Sequence, residues 1–167
     1  PTGNKKFFDE MQLLFPQILA VHADAKDGMP FAEETFDGIV SVDSFHYFGR
    51  DYKVLEDKIM PLVKSGGYVY ISIPGMKKDC HDNLPSELLL SWTPEDLETM
   101  HDVAYWKSLV AKCKNAEVVA VYEMESNDEV WNDWLVCENP YAVGDRKSMN
   151  VGAGKYLNFI GIILRKK

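Results

Sequence analysis

Asp43, Ser44, His46 and Tyr47 set a carboxylate, a hydroxyl, an imidazole and a phenol within one short stretch. An imidazole titrating near neutrality serves as a general base on a substrate N–H or O–H. The same stretch reads equally as an aromatic cluster, Phe45, His46, Tyr47 and Phe48, packed under a helix. Trp131 and Trp134 lie three residues apart among the acids Glu123, Glu125, Asp128, Glu129 and Asp133. They line a pocket and stack on a cationic substrate, or at least one of them belongs to the core, with the acids as a solvated face. His22, His81 and His101 have no metal-ligand spacing and Cys80, Cys113 and Cys137 form no CxxC pair, so no metal site is expected.

The element that must present the first cluster is Ile39–Val42, a β-branched run entered from the turn residues Asp37-Gly38. It reads as a buried parallel strand, apolar on both faces. Open α/β sheets bind ligands in the crevice beyond the carboxyl ends of such strands, which is where Asp43 to Tyr47 fall. A helix capped by Asp51 follows, with Val54, Leu55, Ile59, Leu62 and Val63 inward and Pro61 finishing it. Ser65-Gly66-Gly67 turns the chain into the clearest strand, Tyr68 to Pro74.

Upstream, Phe7, Phe8, Met11, Leu14 and Phe15 mark an amphipathic helix over residues 4–15, and Ile18–His22 reads as a strand running into Asp24-Ala25. Met29-Pro30-Phe31 tucks under the domain from a loop. Downstream, Thr93-Pro94-Glu95-Asp96 and Asp102 begin helices, the second with Val103, Trp106, Leu109, Val110 and Cys113 inward. Glu117–Met124 is a strand, the tryptophan segment a helix, and a short helix surrounds Arg146. Tyr156–Leu164 is the last strand, and with no crossover of obvious length before it except the tryptophan helix it reads as antiparallel. The alternation predicts one α/β domain with a mostly parallel sheet, an antiparallel last strand and flanking helices.

A chain of 167 residues is one domain's worth. A net charge of −8 argues against nucleic acid or an anionic membrane as partner, and leaves a basic or neutral small molecule open. No apolar run approaches a membrane span, and three unpatterned cysteines fit reduced thiols in a cytoplasm.

Four pieces of the chain, taken together, resemble the Rossmann-like S-adenosylmethionine-dependent methyltransferases of the ubiquinone and cyclopropane-synthase types. They are Asp24-Ala25, Met29-Pro30-Phe31, Phe36-Asp37-Gly38-Ile39-Val40-Ser41 and Leu62-Val63-Lys64-Ser65-Gly66-Gly67-Tyr68, in the expected order and spacing. The resemblance implies methyl transfer from S-adenosylmethionine to a small-molecule acceptor. It places Asp24 and Ala25 at the adenine and Val42 and Asp43 at the methionine end, and His46 and Tyr47 as catalytic candidates. Cyclopropane-synthase-like members carry a glutamate at the position of His46 and a histidine at that of Tyr47, which argues against lipid cyclopropanation here.

The glycine-rich loop of that family is missing, since no GxGxG occurs. The resemblance therefore implies the carboxyl-terminal two-thirds of a methyltransferase domain over residues 1–167, holding the strands numbered three to seven, and a fragment inactive by itself. Ile18–His22 then loses its neighbours, and Ile39–Val42 becomes a bare edge that invites homodimerisation. The competing expectations are another Rossmann nucleotide-binding enzyme, and a non-catalytic interaction domain on the same scaffold.

Overall fold

The structure, a computed structural model, describes residues 9–10 and 13–167. Four strands form one sheet: β1 (Phe36–Val42), β2 (Val63–Met76), β3 (Ala116–Glu123) and β4 (Leu157–Lys166), in the order β1-β2-β4-β3. β1 pairs parallel with β2, and β4 pairs antiparallel with both β2 and β3. Three strands thus share one direction and the last opposes them, as expected, although two helices, Asn127–Leu135 and Pro140–Met149, lie in the connection before it.

The entry into β2 explains its glycines. Phe36 pairs with Val63 and Gly38 with Tyr68, so Lys64 to Gly67 bulge opposite Asp37. Gly66 adopts φ +80°, a conformation that L side chains resist, and a Cβ on Gly67 would stand 2.6 Å from the Asp37 carbonyl oxygen. Lys64 Nζ closes the bulge with an ion pair to Asp37 at 2.7 Å.

One face of the sheet carries the core. Val69, Ile71 and Ile73 alternate inward from β2 and Ile160, Ile162 and Leu164 from β4. Against them pack Leu55, Ile59 and Met60 from the helical segment after Asp51, and Trp106, Leu109 and Val110 from the helix Val103–Val110. Each such side chain contributes about 1.5–3 kcal/mol of burial. Asp51 caps its segment by accepting from Lys53 N–H, and the segment passes through a π turn at Leu55–Ile59 and a 3-10 turn at Met60–Leu62, where Pro61 ends it. Met29 packs on this core from its loop, as expected.

Three expectations are corrected. Ile18–His22 is not a strand: it joins no ladder with any described strand, Ile18 N–H donating instead to Phe15 O at 2.9 Å, and Leu19 is 72 % exposed. A strand is stabilised only by neighbours that take its backbone groups, so the set expected as strands three to seven is here four. Ile39–Val42 is parallel but half-buried on one face only, Val40 being 71 % and Val42 66 % exposed, because nothing described covers the other face. In the first helix, Asp9–Glu10 and Leu13–Leu14 are helical, yet Leu14 and Phe15 are exposed rather than inward. Phe7, Phe8 and Met11 lie outside the described residues. No helix among the described residues is long and apolar enough to cross a membrane.

Candidate active site

Beyond the carboxyl end of β1 the chain turns sharply. Asp43 adopts φ +50° while its N–H donates to Ser72 O at 2.8 Å, one step past the β1–β2 ladder. A non-glycine residue held left-handed at a strand end is strained, and here the bend sets its carboxyl into a cleft. The short helix α1 (Phe45–Phe48) follows at once, and Ser44 Oγ lies 3.0 Å from Ser41 Oγ across the bend.

The cleft has a volume of about 610 Å³. Asp43, His46 and Tyr47 form one wall; Trp92, Asp96 and Met100 form another; Trp131, Trp134, Tyr141 and Asp145 close it. Its far side is built by three elements. Helix α2 (Pro94–Leu97) starts with a capping box in which Asp96 Oδ2 accepts from both Thr93 N and Thr93 Oγ1 at 2.9 Å. Helices α4 (Asn127–Leu135) and α5 (Pro140–Met149) follow α3 (Val103–Val110) and β3. Arg146 joins them, Nε donating to Leu135 O at 2.7 Å and Nη2 to Cys137 O at 2.8 Å, which satisfies carbonyls at the end of α4. Ser91 Oγ donates to Gly144 O at 2.9 Å and accepts from Ser148 N at 3.0 Å, clasping α5 to the Leu88–Leu90 turn.

The electrostatics follow from burial. His46 is 1 % exposed, and loss of solvent pushes its imidazole down to about 4, with Nδ1 buried and unpartnered. It is therefore a neutral ring at physiological pH and does not titrate near neutrality as the sequence suggests. Burial raises the Asp43 carboxyl. Burial also raises Asp145, opposed by the indole N–H of Trp134, which donates to Oδ2 at 2.9 Å. Tyr47 is 64 % exposed, and its phenol is raised by desolvation and by the charges of Asp43 and Asp96. The rings of His46 and Tyr47 lie 3.9 Å apart by centroid. Trp131 Nε1 is buried without a partner, while Trp131 packs on Phe159 and Trp92.

The structure thus unites Asp43, His46 and Tyr47 with both tryptophans. It does not bring Val42 to them: Val42 lines a shallow recess on the open face of the sheet with Val40, Tyr70 and Tyr122. Asp24 and Ala25 also stand apart from the cleft. Asp24 Oδ1 accepts from Lys26 N at 2.8 Å in a turn, and Ala25 rests on the core. Asp96 and Asp145 were not among the sequence candidates. The capping-box pattern accounts for Asp96 locally, and no local pattern marks Asp145, whose role comes from facing Trp134.

Residues 4–71 match a family model described as a methyltransferase domain. A comparison with curated proteins returns no significant match. Among solved structures, a Galdieria sulphuraria protein assigned as a sarcosine dimethylglycine methyltransferase is similar with TM-score 0.68 and 19 % identity, over 100 % of this chain and 67 % of that one. Haemonchus contortus phosphoethanolamine N-methyltransferase 2, solved with S-adenosyl-L-methionine, gives TM-score 0.62 and 17 % identity over 86 % of this chain and 36 % of its own. Geranyl diphosphate C-methyltransferase from Streptomyces coelicolor A3(2) gives TM-score 0.64 and 12 % identity over 95 % and 56 %. The chain spans about two-thirds or less of these proteins.

Proposed function

We propose that this chain, which carries part of a methyltransferase domain and has the fold of the S-adenosylmethionine-dependent methyltransferases, serves methyl transfer from S-adenosylmethionine to a small acceptor bearing a basic nitrogen. One observation supports the acceptor class most directly: the carboxyls of Asp43 and Asp145 share a cleft with the rings of Trp92, Trp131, Trp134 and Tyr141. Acid charge and aromatic faces together suit an ammonium group and its methyls.

The residues present fit part of the cofactor. Asp43, turned into the cleft by its left-handed backbone, suits the methionine ammonium, and Asp24 with Ala25 is our choice for the adenine edge. Val42 faces the open side of the sheet and serves there only through its backbone. The sequence contains no glycine-rich loop to hold the rest, so the chain alone binds the cofactor weakly. When bound, S-adenosylmethionine supplies the electrophilic methyl group.

The chain's own contribution is alignment and exclusion of water. Asp145 and the tryptophans hold the acceptor cation. The protonated hydroxyl of the exposed Tyr47 orients its polar groups, while the buried neutral ring of His46 backs the cleft wall without adding a charge. Transfer of labelled methyl from S-adenosylmethionine to a panel of primary, secondary and tertiary amines, with alcohols as controls, tests the reading. Methylation confined to alcohols or carbon acceptors would refute the amine assignment.

A second reading, an interaction domain that dimerises along the bare β1 edge, is favoured by the exposed Val40 and Val42. Sedimentation equilibrium decides it, a monomer at all concentrations counting against it. The free thiols of Cys80, Cys113 and Cys137 support a cytoplasmic setting for either reading.

A further inference from the structure

Asp79 and His81, two residues apart, and the distant His101 converge away from the cleft with ligand atoms within 4.8 Å of one another. Asp79 lies just beyond β2 and His101 immediately before Asp102, the N-cap of α3. His81 Nδ1 sits 2.6 Å from Asp79 Oδ1, and His101 Nδ1 sits 3.0 Å from Asp79 Oδ2. Each oxygen of one carboxylate therefore faces one imidazole nitrogen.

The surroundings hold these groups in place. His81 N–H donates to Asp79 Oδ1 at 3.1 Å, and Asp79 N–H donates to Asp102 Oδ2 at 3.3 Å. The His101 ring stacks on Tyr105 at 3.6 Å with 15° between planes. His81 Nε2 meets Leu97 O at 3.0 Å. A carbonyl only accepts, so the Nε2 proton belongs there and the Nδ1 lone pair turns toward the Asp79 carboxylate. Two acceptors facing each other at this distance need a cation between them. A proton fills that need for one pair, whereas a divalent ion would bond to all three side chains.

From this geometry we infer that Asp79, His81 and His101 form a binding site for a divalent transition-metal ion of the zinc type. Two imidazoles and one carboxylate are the donor set such ions take, with the remaining positions open to water. A ring nitrogen anchored on a backbone carbonyl, as His81 Nε2 is on Leu97, is the usual support of a metal-binding histidine. The ion displaces a proton from between Nδ1 and the carboxylate and takes both groups as ligands. It ties the loop after β2 to the segment between α2 and α3, which carries Met100 into the cleft wall. The site does not depend on the methyl-transfer reading.

The test uses the whole chain with Zn²⁺ and Co²⁺ alone as probes. Calorimetry is expected to show stoichiometric Zn²⁺ binding, and Co²⁺ to develop visible d–d absorption. Asp79→Asn and His81→Gln should each weaken binding by about tenfold or more with circular dichroism unchanged. No binding, or equal binding by the variants, overturns the site. Footprinting on the unaltered chain serves should a variant fail to fold: Zn²⁺ should protect His81 and His101 from diethyl pyrocarbonate while exposed His22 stays reactive. Equal acylation of His81 and His101 with and without Zn²⁺ overturns it likewise.

Discussion

Trp134 donates its indole N–H to Asp145 Oδ2 at 2.9 Å, bridging α4 and α5 at the mouth of the cleft. The bond fixes the tryptophan face and the acid charge as one unit. Asp145→Asn keeps an oxygen for the indole but removes the charge. Folding stability should change by no more than about 1 kcal/mol, while affinity for tetramethylammonium falls about fivefold to tenfold, read by calorimetry.

His46 makes stability depend on pH with a definite sign. Its folded value, about 4, lies below the ordinary 6.5. Above that ordinary value the ring is neutral in both states and contributes nothing to the pH dependence. As pH falls from there toward about 4, the unfolded chain takes up a proton that the folded chain refuses, and stability is lost. Between about pH 7.5 and pH 4.5, wild type should lose roughly 2 kcal/mol relative to His46→Leu in urea unfolding. Parallel curves for the two proteins would contradict the burial.

The bulge before Tyr68 makes Gly67 intolerant of a side chain, because the added carbon would meet the Asp37 carbonyl rather than a movable side-chain end. Gly67→Ala should cost about 1–3 kcal/mol in chemical denaturation, with Lys64→Ala, at an exposed ion pair, costing far less.

On the open face of the sheet, Val40→Lys should leave stability within about 0.5 kcal/mol, since its side chain is mostly solvated. A charge on the edge strand should also suppress concentration-dependent association, measured by sedimentation. Unchanged association would place any contact elsewhere.

Thr93→Ala removes the hydroxyl half of the capping box while leaving Asp96 in the cleft wall. A loss of about 1 kcal/mol is expected in thermal or urea unfolding.

What the sequence determined by itself is what short-range physics controls. The apolar runs Tyr68–Pro74 and Tyr156–Leu164 read as strands and lie in β2 and β4, and Thr93-Pro94 and Asp102 read as helix starts, whereas Gly66-Gly67, read as a turn, lies in a bulge inside β2. Asp43, His46 and Tyr47 could be placed past a strand end because chain direction alone carries them there. The tertiary structure decided the rest. Ile18–His22 has strand composition and no ladder partner among the described residues, and β1 has two apolar faces with described residues covering one. Charge state and company are likewise properties of surroundings: the same histidine type is a buried neutral ring at position 46 and a hydrogen-bonded partner of Asp79 at positions 81 and 101. Asp79 pairs with His81 two residues along the chain, but its pairing with His101 and the desolvation of His46 are set by neighbours brought from distant parts of the chain.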